Sequence, residues 1–153
     1  MPGRIGAADE NPCSATAMRK ATRRMTQLYD ALAPAGPRST QYAILEELHR
    51  QADAPPTMSE LAQTLVLDRS ALGHNLRPSE RDGLVALVAG DDDRRRRRVV
   101  LTTRGRAKFA QARRAWKLAQ DRFNDVFGES AAAKLRATLL RIARDERLAT
   151  LTD

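Results

Sequence analysis

Aromatic residues are scarce in this chain, with one Trp, two Tyr and three Phe among 153 residues. Any core must therefore be built mainly from aliphatic side chains. Cysteine is scarcer still. A lone Cys13 excludes an internal disulfide, and two widely separated histidines, His49 and His74, leave no metal-ligand cluster. No metal site and no cofactor are expected. Gly-rich phosphate loops are missing and no nucleophile–base pair converges, which argues against an enzyme. No run of 18 apolar residues exists, so no membrane span is expected. The N-terminus lacks the apolar centre of a signal peptide, which predicts a cytoplasmic protein.

Positive charge is plentiful. Lys and Arg number 27 against 19 Asp and Glu, a net charge of +8, and the isoelectric point is near 10.7. That balance points to nucleic acid or another anionic surface. A hydrophobic content of 42% suffices for the core of one domain with helical extensions. The charge is densest from Asp91 to Thr102, where Asp91-Asp92-Asp93 precede five consecutive arginines, Arg94 to Arg98. Val85, Leu87 and Ala89 alternate before this run, and Val99 and Leu101 alternate after it, the period of half-buried strands. The run is thus the tip of a hairpin. Such a tip is either a solvated charge tract or a contact for a polyanion.

The flanking segments decide the context. Residues 1–12, with Pro2, Gly3, Gly6 and Pro12, read as a flexible arm. Met18, Ala21, Met25, Leu28 and Leu32 recur every three or four residues, which predicts a helix over 14–32 with a seam for another helix. Pro34, Gly36 and Pro37 break it. A second helix over 39–50 carries Tyr42, Leu45 and Leu48, with Ile44 on its flank. Thr57 and Glu60 form a capping box for a short helix that turns Leu61, Ala62 and Leu65 inward. Asp68 can cap the next helix, from Arg69 to about Asp82, in which Leu72 and Leu76 share the buried face. Ser70, Gly73, His74 and Arg77 lie on another, polar and basic face. Two short helices joined by a brief turn make a helix-turn-helix unit. Gly73 costs roughly 1 kcal/mol in a helix interior against Ala, and Pro78 should kink or end the helix. Either Gly73 admits close backbone approach to a surface and Pro78 redirects the last turn, or both mark an early helix end.

After the hairpin, a long helix over 103–127 shows a seam of Phe109, Ala112, Trp116, Ala119, Phe123 and Val126. Its 3.5-residue period suits lengthwise packing on another helix. Gly128 stops this helix. Ser130 can cap a final one through about Glu146, with Leu135, Leu139 and Ile142 facing inward.

Helix, helix, helix-turn-helix, basic hairpin and two long helices follow one another in the winged-helix order. The chain resembles the MarR family of bacterial transcriptional regulators in Leu67-Asp68-Arg69-Ser70-Ala71-Leu72, Asn75-Leu76-Arg77-Pro78 and Glu80-Arg81-Asp82-Gly83-Leu84. The likeness continues in Asp93-Arg94-Arg95 ahead of Val99, Leu101, Thr102 and Gly105, and upstream in Leu28-Tyr29 and Thr40 to Leu45. It covers residues 13–146. His74 stands where relatives often carry a longer basic residue, and Ser79 where they often carry Leu. The resemblance implies a mainly α fold with a small β-hairpin wing, an α+β winged helix-turn-helix. It divides the chain into the arm (1–12), a helical dimerisation region (13–36 and 103–153) and a DNA-binding domain (37–102). It further implies a homodimer on a pseudo-palindromic double-stranded operator, released by a small phenolic or aromatic acid in a cleft between the lobes.

Residue roles follow from that frame. An α-helix fits the major groove, whose edges distinguish base pairs. Arg69 and Ser70 suit phosphate contacts, and His74, Asn75 and Arg77 are the candidates for further DNA contact. At the wing, Arg95 is the candidate for the minor groove, with Asp93 holding it through an ion pair, while Arg94 and Arg97 reach phosphate. Met25, Tyr42, His49 and Trp116 are candidates for the effector cleft. Some relatives sense organic peroxides through a cysteine at the start of the first helix, so Cys13 is the redox candidate. A sequence-indifferent basic nucleic-acid binder is the remaining alternative.

Overall fold

The structure, a computed structural model, describes residues 13–149. The N-terminal arm expected over 1–12 lies outside the described residues. Helices α1 (Ser14–Leu32), α2 (Ser39–Arg50), α3 (Met58–Thr64) and α4 (Arg69–Arg81) lead into a hairpin of β1 (Val85–Ala89) and β2 (Arg97–Leu101). Helices α5 (Thr103–Phe127) and α6 (Glu129–Arg144) and a 3-10 turn (Glu146–Leu148) follow among the described residues. This is the mainly helical winged helix expected.

Local chemistry sets most of these boundaries. The amide of Thr57 donates to Glu60 Oε2 (2.7 Å) and the Glu60 amide to Thr57 Oγ1 (3.3 Å), closing the capping box of α3. Asp68 Oδ1 accepts the Ala71 amide at 2.7 Å and opens α4. Thr102 Oγ1 accepts the Gly105 amide (2.9 Å) to start α5, and its hydroxyl donates to the Gly83 carbonyl (2.6 Å), pinning helix to hairpin. At that junction a Cβ on residue 105 would stand 1.9 Å from the Leu84 carbonyl oxygen, so only glycine fits.

Of the two readings of Pro78, the early helix end fails: α4 runs on to Arg81, in line with the helix expected to about Asp82. The Asp82 amide still reaches the Pro78 carbonyl at 3.0 Å, and the chain turns only at Gly83, whose φ is +71°. Ser130 does not cap α6. Gly128, at φ +91°, reverses the chain immediately after Phe127, so α6 starts at Glu129 without a side-chain cap. The acidic Glu129 then sits where the helix dipole favours it. α6 stops at Arg144, and Glu146 belongs to the 3-10 turn.

The hairpin pairs antiparallel with Val85 opposite Leu101, Leu87 opposite Val99 and Ala89 opposite Arg97. A strip of chain before α3 adds to its other edge, through a bridge between Thr57 and Arg98 and a 2.8 Å bond from the Val99 amide to the Pro56 carbonyl. The wing is therefore stitched by its backbone to the start of the helix-turn-helix. The core beneath contains Ile44, Leu45, Leu61, Leu72 and Val99, all fully buried, and Phe109 and Ala112 from the first half of α5. Each large aliphatic there stabilises by about 1.5–3 kcal/mol.

The outer helices differ. No residue of α1 is buried, and Ala132 alone is buried on α6. Leu139 and Ile142, expected to face inward, are 40% and 37% exposed, and Val126 is 71% exposed. Their periodicity marks an apolar face correctly, but the described residues of one chain leave that face only partly covered.

Candidate nucleic-acid interface and adjoining cavity

The polar face of α4 follows from its two anchors. Leu72 and Leu76 turn inward, which carries Arg69, Ser70, His74 and Arg77 to the exposed side. A Cβ at Gly73 would meet nothing within 4 Å, so that position leaves open space on the helix surface rather than filling a tight packing site. Asn75 is half-buried, and its Nδ2 donates to the Ala71 carbonyl at 2.8 Å. That bond turns its amide back along its own helix.

At the hairpin tip the five arginines separate into two groups. Arg94, Arg95 and Arg97 are exposed and make no ion pair among the described residues. Arg98, with a side chain only 22% exposed, bonds Glu60 Oε2 (3.1 Å), Asp92 (3.3 Å) and the Pro55 carbonyl (3.3 Å). Arg96 lies 3.9 Å from the Glu60 carboxylate. Bonds from Thr57 and the charges of Arg98 and Arg96 hold the Glu60 carboxyl below its usual pKa; Asp92 is likewise lowered, by its own backbone amide and then by Arg98. The ion pair expected between Asp93 and Arg95 does not form. Asp93 Oδ1 instead accepts the Arg95 backbone amide at 2.9 Å, and the Arg96 amide bonds the Asp93 carbonyl at 3.0 Å. Asp93 shapes the turn and leaves the Arg95 guanidinium free to point outward.

Between the outer helices and this lobe lies a cavity of about 870 Å³. Met25 and Trp116, both sequence candidates, line it; Tyr42 and His49 do not. Tyr42 is a core residue, 6% exposed, because its ring is needed under Trp116. His49 is exposed near the end of α2 and leans on Phe109 with centroids 4.7 Å apart. Tyr29 and Phe123 add aromatic lining, Gln120 and Arg136 add polar lining, and Leu65 and Leu67 bring in the turn between α3 and α4. Trp116 is sandwiched between Tyr29 and Tyr42, with both centroid separations 3.9 Å, so the stack ties α1, α5 and α2 together. Burial, then the Glu46 carboxylate, pushes the Tyr42 phenol up to about 12 and raises Tyr29 as well. Both hydroxyls are therefore neutral donors near pH 7. The Trp116 indole nitrogen is buried without a hydrogen-bond partner among the described residues. Sequence reasoning missed Tyr29 as lining, although its spacing of four residues from Met25 and seven from Thr22, which keeps all three on one helix face, was the available signal.

Cys13 is exposed at the start of α1. The amide and hydroxyl of Thr16, then the amide of Ala15, pull its thiol below the usual pKa, although none closes a cap hydrogen bond. Tyr29 lies 16 residues further along the same helix, about 24 Å away at 1.5 Å per residue. Among the described residues no group of three His, Cys, Asp or Glu could hold a metal, and no helix is long and apolar enough to cross a membrane.

Comparison with solved structures gives this geometry its context. The Mycobacterium tuberculosis transcriptional regulator MosR, solved in complex with DNA, is 32% identical over 92% of this chain and 100% of its own, with a TM-score of 0.76. A MarR-family regulator from Rhodococcus sp. RHA1 shares the fold, at 21% identity over 85% of this chain and 93% of its own, with a TM-score of 0.73. The chain belongs to the MarR family of transcriptional regulators. A further MarR-type relative, the transcriptional repressor CouR bound to a 23-mer DNA duplex, is 26% identical over 86% of this chain and 93% of its own, with a TM-score of 0.75. CouR from Rhodococcus jostii RHA1 has also been solved with p-coumaroyl-CoA. No family model and no curated protein matches the sequence. In MarR-family terms, α3 and α4 are the helix-turn-helix and the hairpin is the wing.

Proposed function

We propose that this MarR-family protein is a homodimeric repressor of a pseudo-palindromic operator, released by a small aromatic acid, and not an enzyme. In this reading residues 37–102 bind DNA, 13–36 and 103–153 form the dimer, and 1–12 are an arm. The observation that carries it is the pairing of an outward polar face on α4 with a wing whose Arg94, Arg95 and Arg97 make no ion pair among the described residues. α4 enters the major groove with Ser70, His74 and Arg77, while Arg69 meets phosphate. Arg95 enters the minor groove, and Arg94 and Arg97 neutralise phosphate. Asn75 contributes through the carbonyl side of an amide already anchored to Ala71, and Asp93 contributes by shaping the wing turn.

The cavity supports the ligand-responsive part. It is aromatic and aliphatic, with Arg136 to receive a carboxylate and the Tyr29 hydroxyl to receive an acceptor. Because Leu65 and Leu67 form part of its wall, an occupant presses directly on the turn that orients α4. CouR, a repressor solved both on DNA and with an aromatic thioester, is consistent with that coupling. The exposed apolar faces of α5 and α6 suit a second copy of the chain.

The test is a binding selection on random duplexes with and without small aromatic acids. The reading requires one enriched palindrome and its loss when an acid is added. On that duplex Arg77→Ala should relax sequence preference at a cost of about 1–3 kcal/mol. Arg97→Ala should weaken all duplexes nearly equally and flatten the salt dependence by about one unit of slope. Identical behaviour of the two would refute the assigned roles. A thiol switch at Cys13 is the second reading, favoured by its exposure and lowered pKa. It stands only if peroxide releases the operator from the native protein and not from Cys13→Ser.

A further inference from the structure

The wing is joined to the helix-turn-helix by more than its backbone. Arg98 sits on β2 and reaches three acceptors from separate segments: Glu60 in the first turn of α3, the Pro55 carbonyl before it, and Asp92 at the hairpin tip. A guanidinium is a planar fork of donors, so three acceptors around it fix an orientation that a single ion pair does not. Glu60 is shared in turn. One of its oxygens takes both the Thr57 amide and Arg98, and the other faces Arg96. We propose that Glu60, Arg98 and Asp92 form a strut that sets where the wing stands relative to α4, and that Glu60 is thereby a positioning residue for sequence recognition.

The inference rests on the DNA-binding reading and adds a division within the arginine run. Arg96 and Arg98 are held by acids of the protein, while Arg94, Arg95 and Arg97 are presented to the ligand. Exposed ion pairs contribute little to stability one at a time. The strut therefore acts on orientation: a wing fixed against α3 delivers Arg95 at one distance from the α4 face. A loosened wing binds phosphate wherever it finds it. Loss of the Glu60 charge also frees Arg96 and leaves Arg98 only Asp92 and the Pro55 carbonyl, which strengthens binding to any duplex while weakening the preference for one.

The experiment uses the full chain carrying Glu60→Gln, since glutamine still accepts the Thr57 amide and keeps the α3 cap. Affinity is measured for the selected duplex and a scrambled one over a range of salt, and hydrogen exchange of wing amides is followed in the free protein. The strut predicts faster exchange around Arg96 and Val99, and a specific-to-scrambled ratio reduced about fivefold or more. It also predicts a steeper salt slope on scrambled DNA, by about one to two units. Arg98→Gln should lower the ratio as well, and the double substitution should lower it no further. Equal loss of affinity for both duplexes would mean that Glu60 is only a helix cap, and would overturn the proposal. An unchanged ratio with a strongly preferred wild-type duplex would overturn the strut and leave the DNA reading intact. A wild-type protein with no preferred duplex would defeat the DNA reading and, with it, the inference.

Discussion

The winged lobe and the outer helices of this chain are built from the same kind of pattern and end in opposite states. In the lobe, α2, α3, α4 and the hairpin close over one another, and Ile44, Leu45, Leu61, Leu72 and Val99 leave water almost completely. In the outer part, α1 buries nothing fully and α6 buries Ala132 alone, although both carry apolar seams. The lobe is a finished core within one chain. The outer helices hold half of one, which the proposed dimer would complete. The Tyr29–Trp116–Tyr42 stack joins them, and the cavity opens where finished and unfinished packing meet.

That contrast breaks most severely at Gly105. Its hydrogen faces the Leu84 carbonyl so closely that a Cβ would stand 1.9 Å away, and that neighbour is backbone, which cannot yield cheaply. Gly105→Ala should cost about 3–5 kcal/mol, at the high end for a single substitution. Urea denaturation would read this as a lowered midpoint for the lobe itself. A change below about 1 kcal/mol would show that α5 can shift off the hairpin freely.

The outer helices should respond differently. Leu139 is 40% exposed on α6, so Leu139→Glu does little to the fold of one chain. In a dimer the same change puts a charge into a closing apolar face and removes the burial of a Leu, about 1.5–3 kcal/mol of association. Sedimentation should show dissociation at concentrations where the native protein is dimeric, with helix content retained. If the fold melted along with association, the outer helices would be part of the lobe's own stability, and the contrast drawn above would be false.

How much of this was legible beforehand follows the same divide. Period and punctuation located α1, α2 and α5 to the residue, and the hydroxyl or carboxyl caps at Thr57 and Asp68 placed α3 and α4. These are local signals, in which the group and its partner lie within four residues. Ser130 is the wrong cap because Gly128, at positive φ, turns the chain two residues earlier than that hydroxyl would. Periodicity identifies Leu139 and Ile142 as apolar-face residues without showing that the described residues of the same chain cover them only in part. At the site, the outward residues of α4 were legible from the two inward leucines. The sorting of the arginines was not, because Arg98 finds Glu60 across 38 residues of sequence. Tyr42 likewise reads as a cavity residue from the sequence, since nothing local reveals that Trp116 has a ring on each face.

The smallest expected effect lies in the turn joining α3 to α4, within the lobe yet outside its core. Val66 has φ +54° there and is 65% exposed. A left-handed conformation costs an L-residue roughly 1–2 kcal/mol, and a β-branched side chain tolerates it poorly. The residue persists because its neighbours fix the turn: the Val66 amide bonds the Gln63 carbonyl at 3.1 Å and the Leu67 amide bonds Ala62 at 2.9 Å. Asparagine accepts this conformation through its short polar side chain, without glycine's added freedom in the unfolded chain. Val66→Asn should therefore raise stability by about 0.5–1 kcal/mol in urea denaturation, even though it removes a large apolar side chain. Because Leu65 and Leu67 on either side of Val66 line the cavity, the same variant should keep its operator affinity while responding less to an aromatic acid. A relaxed turn is less readily displaced. Loss of stability on this substitution would mean that Val66 makes an apolar contact in the dimer or on DNA that outweighs the strain of its backbone.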